Sequence, residues 1–574
     1  GHSRLSDVQR QLDTLLAEWP EVLSPITASN SWGVSGAITL TGKPILANDT
    51  HLGYHAPNLF YLAHLQAPGI KLIGATVPGV PFTILGHNGQ IAWGLTTTES
   101  DTQDLFIERL DPDDADRYET PNGMRKFEIH DETIVVRDSD DEAIVIRRSR
   151  HGPIVSDVYP TIKEITRPGY VITLAASALR PDDLTIEAAY QLNRAQDWTS
   201  FQAALRQFHS PQQNIMFADV SGNLGMFAPA RVPIRKRRNN DLPATGWTGE
   251  YDWDGFIPFD QLPQLFNPSA GRIVNANHPT VTNTYAYHLG HGGTPGYRAS
   301  RIHDLLDATA QHTIETSIVM QSDMVSMMAR DLSPVMTRIK PKQQRARRAV
   351  KAIIEWNGEM NRALSEPLIF AAWLRELNRA LYADELGTAF RHYWGLRPIF
   401  VHKTLTSRTA WCDNTTTEQL ETCDQILETS LETALDFLEK RYGEDPSTWR
   451  WGTAHRAQFL HPLLGQIPLI KRLANIVIEN DGGSFTVNRG HYWITNEVDP
   501  FTNHHGPVFR AVYDLSQLDN SRFIQPTGQS GNPLSSRYND FVERWRDGKY
   551  IRIPLARNQI LENSIGILKL LPEN

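Results

Sequence analysis

The sequence contains little cysteine, no long apolar run and no excess of basic residues, and each absence argues against a class of protein. Only Cys412 and Cys423 occur in 574 residues, and no Cys-x-x-Cys or His-Glu-x-x-His pattern is present, which argues against a zinc site. No apolar run approaches the ~20 residues that span a bilayer, which argues against a membrane protein. The net charge of −9 argues against nucleic-acid binding. What remains is a globular chain of ordinary composition, 40% hydrophobic and 21% charged.

Two local features need interpretation. The cysteines lie on one segment, CDNTTTEQLETC, where they either close a small disulfide in an oxidising compartment or remain two buried thiols. The four basic residues at 235–238 form the one basic run, and polar residues follow it. We interpret this run as a solvated loop.

Strand-like patterns dominate residues 29–300, beginning with the run at 33–40 that follows Ser-Asn-x-Trp. The runs ETIVVRD and EAIVIRR are separated by an acidic turn at residues 139–141 and predict a β-hairpin. The segment TIEAAYQLNRAQDWTSFQAALRQF predicts helix with a break near Asp197. This mixture predicts an α/β architecture in which two packed sheets are flanked by helices.

Residues 301–448 have helical periodicity instead. Ser365-Glu366-Pro367 predicts a helix start, and in LETSLETALDFLEKRYG the leucines at 427, 431, 435 and 438 form one face before Gly443. Strand-like runs (SFTVNRG, FRAVYDL, RFIQP) return after residue 449. We therefore expect a core formed by residues 29–300 and 449–574 and a helical insertion at 301–448. A further helix is expected within residues 1–28.

The stretch Ala28-Ser29-Asn30-Ser31-Trp32 contains the candidate nucleophile, Ser29. A serine inside a chain needs a neighbouring base. A serine at a chain start has its own α-amine, which titrates near ~7.7–8.0 and accepts a proton at neutral pH. Cleavage after Ala28 would free that amine, and the Ser29 hydroxyl could itself attack the Ala28 carbonyl. Taken alone, the stretch is more often a Ser/Asn turn before a strand.

The blocks that begin at Ser29 resemble the β-chain of the penicillin acylase family of N-terminal-nucleophile hydrolases. They are Ser-Asn-x-Trp, GKPILANDTHLGYHAPN, GATVPGVPFTILGHNGQIAWGLT, DWTSFQAAL, NIMFADVSGNLGMF, IVNANHP, GYRASR and RFIQPTGQSGNPLSSRYNDF, in the family's order. The resemblance implies a four-layer αββα fold with a mainly helical insertion. It also implies hydrolysis of an N-acyl amide bond through an acyl-enzyme on Ser29, with no cofactor required for the chemistry.

The resemblance further implies two donors for the tetrahedral oxyanion. One is the side-chain amide of Asn277, in the Asn-x-Asn stretch, and a turn Asn is the alternative. The other is the backbone N–H of Thr97, with Thr96 and Thr98 as alternatives. An amide and a backbone N–H suit this role, since losing one such donor typically costs ~10²–10³ in rate.

Two charged or titratable side chains complete the expected site. His51 matches the His of the cephalosporin and acyl-homoserine-lactone acylase branches, and is expected to hydrogen-bond Ser29 and relay protons, or else to fix a turn. Arg298, in GYRASR, is expected to orient Asn277 or to contact a polar group of the substrate, with a surface ion pair as the alternative.

A structural calcium site is expected at Asp101, Gln103 and Asp104, in ESDTQDLF, where penicillin G acylases place calcium ligands. The set is incomplete, since Ca²⁺ takes ~6–8 oxygens. One family ligand comes from the α-chain, and the Asp expected after Tyr287 is replaced by His288. A solvated acidic loop is the alternative.

The family's α-chain precedes the nucleophile, and only 28 residues do so here. We therefore expect a separate α-chain that forms a heterodimer, with removal of the α-chain as the alternative. The resemblance also implies a bacterial periplasmic or secreted location.

Three hypotheses for function follow. The first is a self-processing amidohydrolase acting on an acyl-homoserine lactone, a β-lactam side chain or a similar small N-acyl amine. The second is a silent precursor or binding protein with the same fold. The third, a Ser-His-Asp esterase, is opposed because the near-match to Gly-x-Ser-x-Gly at 528–532 ends in Asn532.

Overall fold

The computed structural model describes residues 28–238, 242–282, 284–290 and 293–571. The helix expected within residues 1–28 lies outside the described residues, apart from Ala28. In chain order the strands are β1 Ala28–Val34, β2 Ile45–Gly53, β3 Tyr61–Ala67, β4 Ile70–Thr76, β5 Leu85–His87, β6 Ile91–Thr97, β7 Gln103–Arg109, β8 Arg117–Thr120, β9 Gly123–Lys126, β10 Glu128–Ile134, β11 Glu142–Arg148, β12 Tyr170–Ala176, β13 Gln213–Asp219, β14 Leu224–Phe227, β15 Pro233–Arg235, β16 Ala244–Thr245, β17 Trp253–Phe256, β18 Gln264–Phe266, β19 Arg272–Asn275, β20 Arg456–Phe459, β21 Ile476–Glu479, β22 His505–Asp514 and β23 Arg522–Ile524.

The α-helices alternate with these strands and then dominate the middle of the chain. They are α1 Pro160–Ile165, α2 Thr185–Leu192, α3 Trp198–Leu205, α4 Tyr297–Asp307, α5 Ile314–Gln321, α6 Met327–Met336, α7 Gln344–Glu355, α8 Glu366–Leu386, α9 Phe390–Tyr393, α10 Pro398–Thr406, α11 Cys423–Tyr442, α12 Trp451–Ala454, α13 Lys471–Ala474, α14 Val542–Arg546 and α15 Arg557–Glu562. Within the described ranges, none of them combines the length and apolar character that crossing a membrane requires.

Two sheets form the centre of the molecule. One has five strands in the order β19-β1-β2-β22-β23, and the other has seven in the order β18-β14-β13-β6-β5-β4-β3. Strands β1 and β2 pack face to face on β6 and β13, and the side chains between the sheets form one apolar core. The sheets approach closely at Gly94, where a Cβ would lie 2.7 Å from the Asn48 side chain. A larger residue at 94 would therefore separate the sheets.

Helices cover the outer face of each sheet. Helices α4 and α5 pack on the five-stranded sheet, and Gln321 at the end of α5 donates to the backbone carbonyls of Asn48 and Ala511. Helices α2 and α3 pack on the seven-stranded sheet. The order helix, sheet, sheet, helix confirms the expected four-layer αββα architecture.

The helices from α6 to α11 form a separate apolar cluster. The long helices α8 and α11 pack along each other, and Trp373 donates to the Leu427 carbonyl across that contact at 3.1 Å. Helices α4 and α5 belong to an outer layer of the core, whereas α6 to α11 form the separate cluster. The helical segment that begins near residue 301 therefore contributes to both. The domain boundaries themselves stay a prediction.

Most local predictions are confirmed by the elements observed. The hairpin of β10 and β11 pairs Ile134 with Glu142 around the acidic turn, and Asp197 caps α3 with a reciprocal capping box. Helix α8 begins after Ser365, and α11 ends at Gly443. Cys412 and Cys423, left open by the sequence, form a disulfide.

Two strand predictions are wrong. The run SFTVNRG forms turns, with one bridge between Gly483 and Arg489. Its polar groups accept hydrogen bonds from side chains on β1 and β22. The strand predicted for residues 33–40 ends at Val34, and a 3₁₀ turn follows at Gly36–Ile38. For SFTVNRG, hydrogen bonds to side chains on β1 and β22 take the place of a ladder.

Candidate active site

Ser29 is buried near the start of β1, at one end of the five-stranded sheet. It is preceded by Ala28 in this chain, so its nitrogen is a peptide N–H. That N–H donates to Asn277 Oδ1 at 2.6 Å, and the Ser29 hydroxyl donates to the Ala28 carbonyl oxygen at 2.6 Å. The nucleophile predicted from the sequence and the bond predicted to be cut therefore lie beside the predicted oxyanion residue.

Asn277 follows β19, which pairs with β1, and this pairing carries it to Ser29. Its φ is +62°, a left-handed conformation that Asn tolerates better than most residues and that concentrates at functional sites. Asn275 holds the turn, since its Oδ1 accepts from the Asn277 N–H at 3.0 Å and from the Thr96 hydroxyl at 2.7 Å. The Asn-x-Asn pattern thus contains one residue that faces Ser29 and one that supports it.

The orientation of the Asn277 amide is determined by its neighbours. Oδ1 accepts from the Ser29 N–H and from Arg298 Nη2 at 3.0 Å, and an arginine side chain has only donors. Nδ2 therefore points the other way, where it donates to the Thr97 carbonyl oxygen at 2.9 Å. Thr97 is the last residue of β6 in the seven-stranded sheet, so the site joins the two sheets.

Arg298 is buried on α4, and its guanidinium orients several atoms of the site. Nη1 donates to the Ser29 carbonyl at 2.9 Å and to Asn30 Oδ1 at 2.6 Å, and Nη2 also donates to the Thr294 hydroxyl at 3.2 Å. All four hydrogen bonds of Arg298 within the described residues go to neutral oxygens. Burial lowers the pKa of Arg298 to about 10. Of the alternatives left by the sequence, the geometry matches orientation of Asn277.

His51 lies on β2, but it does not contact Ser29. The strand register places Thr50 opposite Ser29 and Ala28 opposite His51, and successive strand residues face opposite sides. The hydrogen bond expected between His51 and Ser29 is absent from the described contacts. Instead His51 Nε2 lies 3.1 Å from Asp49 Oδ2. Burial lowers the pKa of His51 to about 4 despite that carboxylate, so the imidazole is neutral at pH 7.

A row of buried polar side chains crosses three strands on the face that carries His51. Asn30, Asp49 and Arg510 are direct neighbours across β1, β2 and β22. Arg510 Nε lies 3.1 Å from Asp49 Oδ1, and Arg510 Nη2 donates to Asn488 Oδ1 at 2.7 Å. Burial raises the pKa of Asp49, but the charge of Arg510 and the contacts with His51 and Arg510 together hold that pKa below its usual range. Sequence reasoning missed this row because only strand register aligns its members.

A cavity of about 700 Å³ opens next to the site. Its wall begins directly after Thr97 and includes Glu99, which has a φ of +55° and accepts from the Gly293 N–H at 2.8 Å. Burial raises the pKa of Glu99. The lining mixes aromatic, apolar and polar side chains: Thr98, Glu99, Gln212, Ile234, Arg235, Pro279, Tyr285, Tyr287 and Leu289. A small organic substrate fits a cavity of this size.

The residues expected to bind calcium contact the guanidinium of Arg235. Arg235 Nε lies 2.8 Å from Asp104 Oδ2, and Arg235 Nη2 lies 2.9 Å from Asp101 Oδ1 and 3.5 Å from the Gln103 carbonyl oxygen. Among the residues that the structure describes, no group of three or more His, Cys, Asp or Glu side chains is arranged to hold a metal ion. The segment at 528–532 forms turns rather than a strand–turn–helix unit, so the esterase hypothesis lacks its expected structure.

Comparison with known proteins identifies the family to which the chain belongs. The sequence pattern of the penicillin amidase family matches residues 2–562. The chain is 28% identical to acyl-homoserine lactone acylase QuiP of Pseudomonas aeruginosa, over 92% of this chain and 67% of that protein. It is also 28% identical to penicillin acylase 2 proenzyme of Pseudomonas sp. strain SE83, over 95% of this chain and 69% of that protein.

The fold is likewise similar to that of a solved structure. A thermostable penicillin G acylase from Alcaligenes faecalis superposes with a TM-score of 0.73, at 21% identity, over 95% of this chain and 100% of that chain. The chain spans about two thirds of the length of its curated relatives. Matched over almost its whole length, the chain belongs to the penicillin amidase family and is an N-acyl amide hydrolase.

Proposed function

We propose that the chain cuts itself between Ala28 and Ser29 and then hydrolyses a small N-acyl amine through an acyl-enzyme on Ser29. The observation that carries the proposal is the contact of the Ser29 nitrogen with Asn277 Oδ1 at 2.6 Å. Arg298 donates to the same oxygen and so orients the Asn277 amide. After cleavage that nitrogen would be an amine with two or three hydrogens. One would continue to donate to Oδ1, which leaves the lone pair of the neutral amine to accept the hydroxyl proton.

The maturation step uses the atoms already in contact. Ser29 Oγ attacks the Ala28 carbonyl carbon and loses its proton, the C–N bond breaks, and the nitrogen takes up a proton to become the α-amine. The resulting ester between Ala28 and Ser29 Oγ is opened by water, which releases the Ala28 carboxylate. The same hydroxyl is then free for substrate.

Turnover repeats this sequence on an external amide. The α-amine takes the Ser29 hydroxyl proton as Oγ attacks the acyl carbon, and it returns the proton to the leaving amine. Water then hydrolyses the acyl-enzyme. Asn277 Nδ2 and the Thr97 N–H are proposed as the oxyanion donors, which requires Nδ2 to leave the Thr97 carbonyl when substrate binds. His51, neutral and beside Asp49, is proposed to act only after Ala28 has left the position opposite it.

We further propose that the substrate has an aliphatic acyl chain, as in an acyl-homoserine lactone. By resemblance, His51 and Leu52 favour the branch of the family that acts on aliphatic acyl chains over the phenylacetyl-specific branch. Relatives named acyl-homoserine lactone acylase are similar along nearly the whole chain. A β-lactam side chain is the second candidate, supported by the likeness to penicillin acylase 2. A separate α-chain and a periplasmic or secreted location are also proposed, on the family resemblance alone.

The test is intact mass and N-terminal sequencing of the purified protein, followed by an assay of amine release. A chain that starts Ser-Asn-Ser-Trp and releases homoserine lactone from acyl-homoserine lactones would support the proposal. Ser29→Ala should abolish both cleavage and turnover. The matched control is Ser530→Ala, a serine in the turn at 528–532, which should leave both intact. Turnover that survives Ser29→Ala in a folded protein would exclude the proposal. A folded wild-type chain that stays joined at Ala28 and is inactive would favour the silent precursor or binding protein.

A further inference from the structure

Arg235 is the buried member of the basic run at 235–238. Its side chain is only 5% exposed, so the interpretation of that run as a solvated loop is wrong for its first residue. The guanidinium touches Asp101 twice, at the carboxylate at 2.9 Å and at the carbonyl oxygen at 3.2 Å, and contacts Asp104 Oδ2 at 2.8 Å. Arg235 thus bridges two carboxylates that are three residues apart.

These oxygens do not fit a calcium ion while the guanidinium is present. Four of these oxygens already face an N–H of Arg235: Asp101 Oδ1, Asp104 Oδ2 and the carbonyl oxygens of Asp101 and Gln103. Asp104 Oδ2 also accepts from Trp253 Nε1 at 2.6 Å. Calcium needs ~6–8 oxygen ligands and would lie against a fixed positive charge. The residue after Tyr287, expected to be Asp, is His288. The donor set therefore suits a guanidinium, whose planar fork of five donors matches carboxylates.

The Arg235 bridge, defined by Arg235, Asp101 and Asp104, joins separate walls of the cavity. Asp101 follows Thr97 by four residues, and its N–H donates to the Leu289 carbonyl at 2.7 Å. Arg235 lies on β15, which pairs with β17 opposite Trp253. The bridge therefore holds the segment after β6, the strand β15 and the segment around residue 289 together. Burial and the charge of Asp101 raise the pKa of Asp104, while the Arg235 charge and the Trp253 N–H oppose them.

We infer that the Arg235 guanidinium is a built-in cation, which takes the place of a bound calcium ion in this chain and holds the cavity wall to the end of β6. The inference does not depend on the proposed reaction. If Arg235 replaces the ion, the stability of the folded protein does not change when a chelator or calcium is added. Removal of the guanidinium then leaves Asp101 and Asp104 without their cation, and calcium can partly replace it.

The test measures the midpoint of thermal unfolding, Tm, of the full chain with excess EDTA and with millimolar CaCl₂. The wild type should have the same Tm in both. Arg235→Ala should have a lower Tm in EDTA, because two neighbouring carboxylates lose their partner, and CaCl₂ should recover part of the loss. MgCl₂ should recover less, since Mg²⁺ requires near-ideal octahedral ligands.

The matched control is Arg301→Ala. Arg301 also forms a bidentate, partly buried contact, but with one carboxylate, Asp323, at 3.0 and 2.7 Å. This variant should lose stability and gain nothing from CaCl₂. Adding Asp101→Asn to Arg235→Ala should remove the calcium response.

Three results would overturn the inference. They are a wild-type Tm that falls in EDTA and recovers with CaCl₂, an Arg235→Ala variant with unchanged Tm, and a destabilised Arg235→Ala variant that CaCl₂ does not raise. If Arg235→Ala does not fold, the wild-type comparison still decides, together with calorimetric titration of CaCl₂ into wild-type protein. Heat from stoichiometric binding at micromolar affinity would contradict the inference.

Discussion

Two buried arginines flank the end of β6 and use their charge in different ways. Among the residues that the structure describes, Arg298 donates only to neutral oxygens, including those of Ser29 and Asn277. Arg235 contacts two carboxylates, Asp101 and Asp104. The local sequence does not predict this difference. Arg298 lies in the first turn of α4, and Arg235 lies in the basic run at 235–238. The environment, and not the residue type, separates the two roles.

The difference shows what a buried guanidinium gains from each kind of partner. With two carboxylates its charge is neutralised, and the result is a fixed connection between segments. With neutral oxygens the charge remains available, polarising the groups that it holds and favouring negative charge that develops nearby. Burial lowers the pKa of Arg298 to about 10, which shows the cost of holding the charge there. A cost of this kind is typical of functional sites.

The largest effect on stability is expected when Arg510, another buried arginine, loses its charge. Arg510→Met leaves the Asp49 carboxylate buried without its main partner, and breaking such a pair costs about 3–5 kcal/mol. Urea unfolding measures the loss. The double variant Arg510→Met with Asp49→Leu should recover much of it, because no buried charge is left alone. A single variant as stable as the wild type would show that Asp49 is not held as an anion.

Arg298→Met should reduce kcat by ~10²–10³, because Asn277 loses the donor that fixes its amide and an oxyanion donor is worth about that much. KM should change much less, since the ground-state contacts in the cavity remain. Steady-state kinetics on the cleaved enzyme separates the two constants. A variant that changes KM alone would place Arg298 in substrate binding instead.

The acid limb of stability tests three buried histidines, of which His51 lies beside Asp49. Burial lowers the pKa of His51 to about 4, and those of His87 and His455 to about 3. The unfolded chain titrates near ~6.5, so it binds more protons than the folded chain below that pH. Stability is therefore full above about pH 6.5 and falls as the pH decreases, by up to ~2 kcal/mol per group at about pH 5.

Chemical denaturation at a series of pH values measures that slope. His87→Phe should reduce it, since one neutral histidine is removed from a site that stacks on Phe523. An unchanged slope in that variant would mean that His87 is protonated in the folded chain.

The smallest effect is expected from Thr294→Val, which removes one neutral acceptor from Arg298 and keeps the side-chain shape. A hydrogen bond of this kind contributes about 1 kcal/mol, so kcat/KM should fall by less than ~10-fold. A fall as large as that of Arg298→Met would mean that Thr294 alone holds the guanidinium. The measurement is the same kinetic assay.

The sequence carries local information well in this protein. The spacing of apolar residues in α11, the cap at Asp197 and the acidic turn between β10 and β11 depend on neighbours within a few residues, and each is confirmed. The run SFTVNRG has a strand-like pattern, but its polar groups bond to distant strands, and no local rule contains those partners.

By itself, the sequence determined the family, the layered α/β class and the candidate site residues, since order and residue type identify these. Only the tertiary structure decided which residues meet. The pairing of β1 with β19 brings Asn277 to Ser29, and strand register turns His51 toward Asp49. The position of β15 places Arg235 between Asp104 and Asp101, which lie 131 and 134 residues earlier in the chain. Contacts over such separations depend on sheet order and register, because a shift of one residue reverses the face that every side chain occupies.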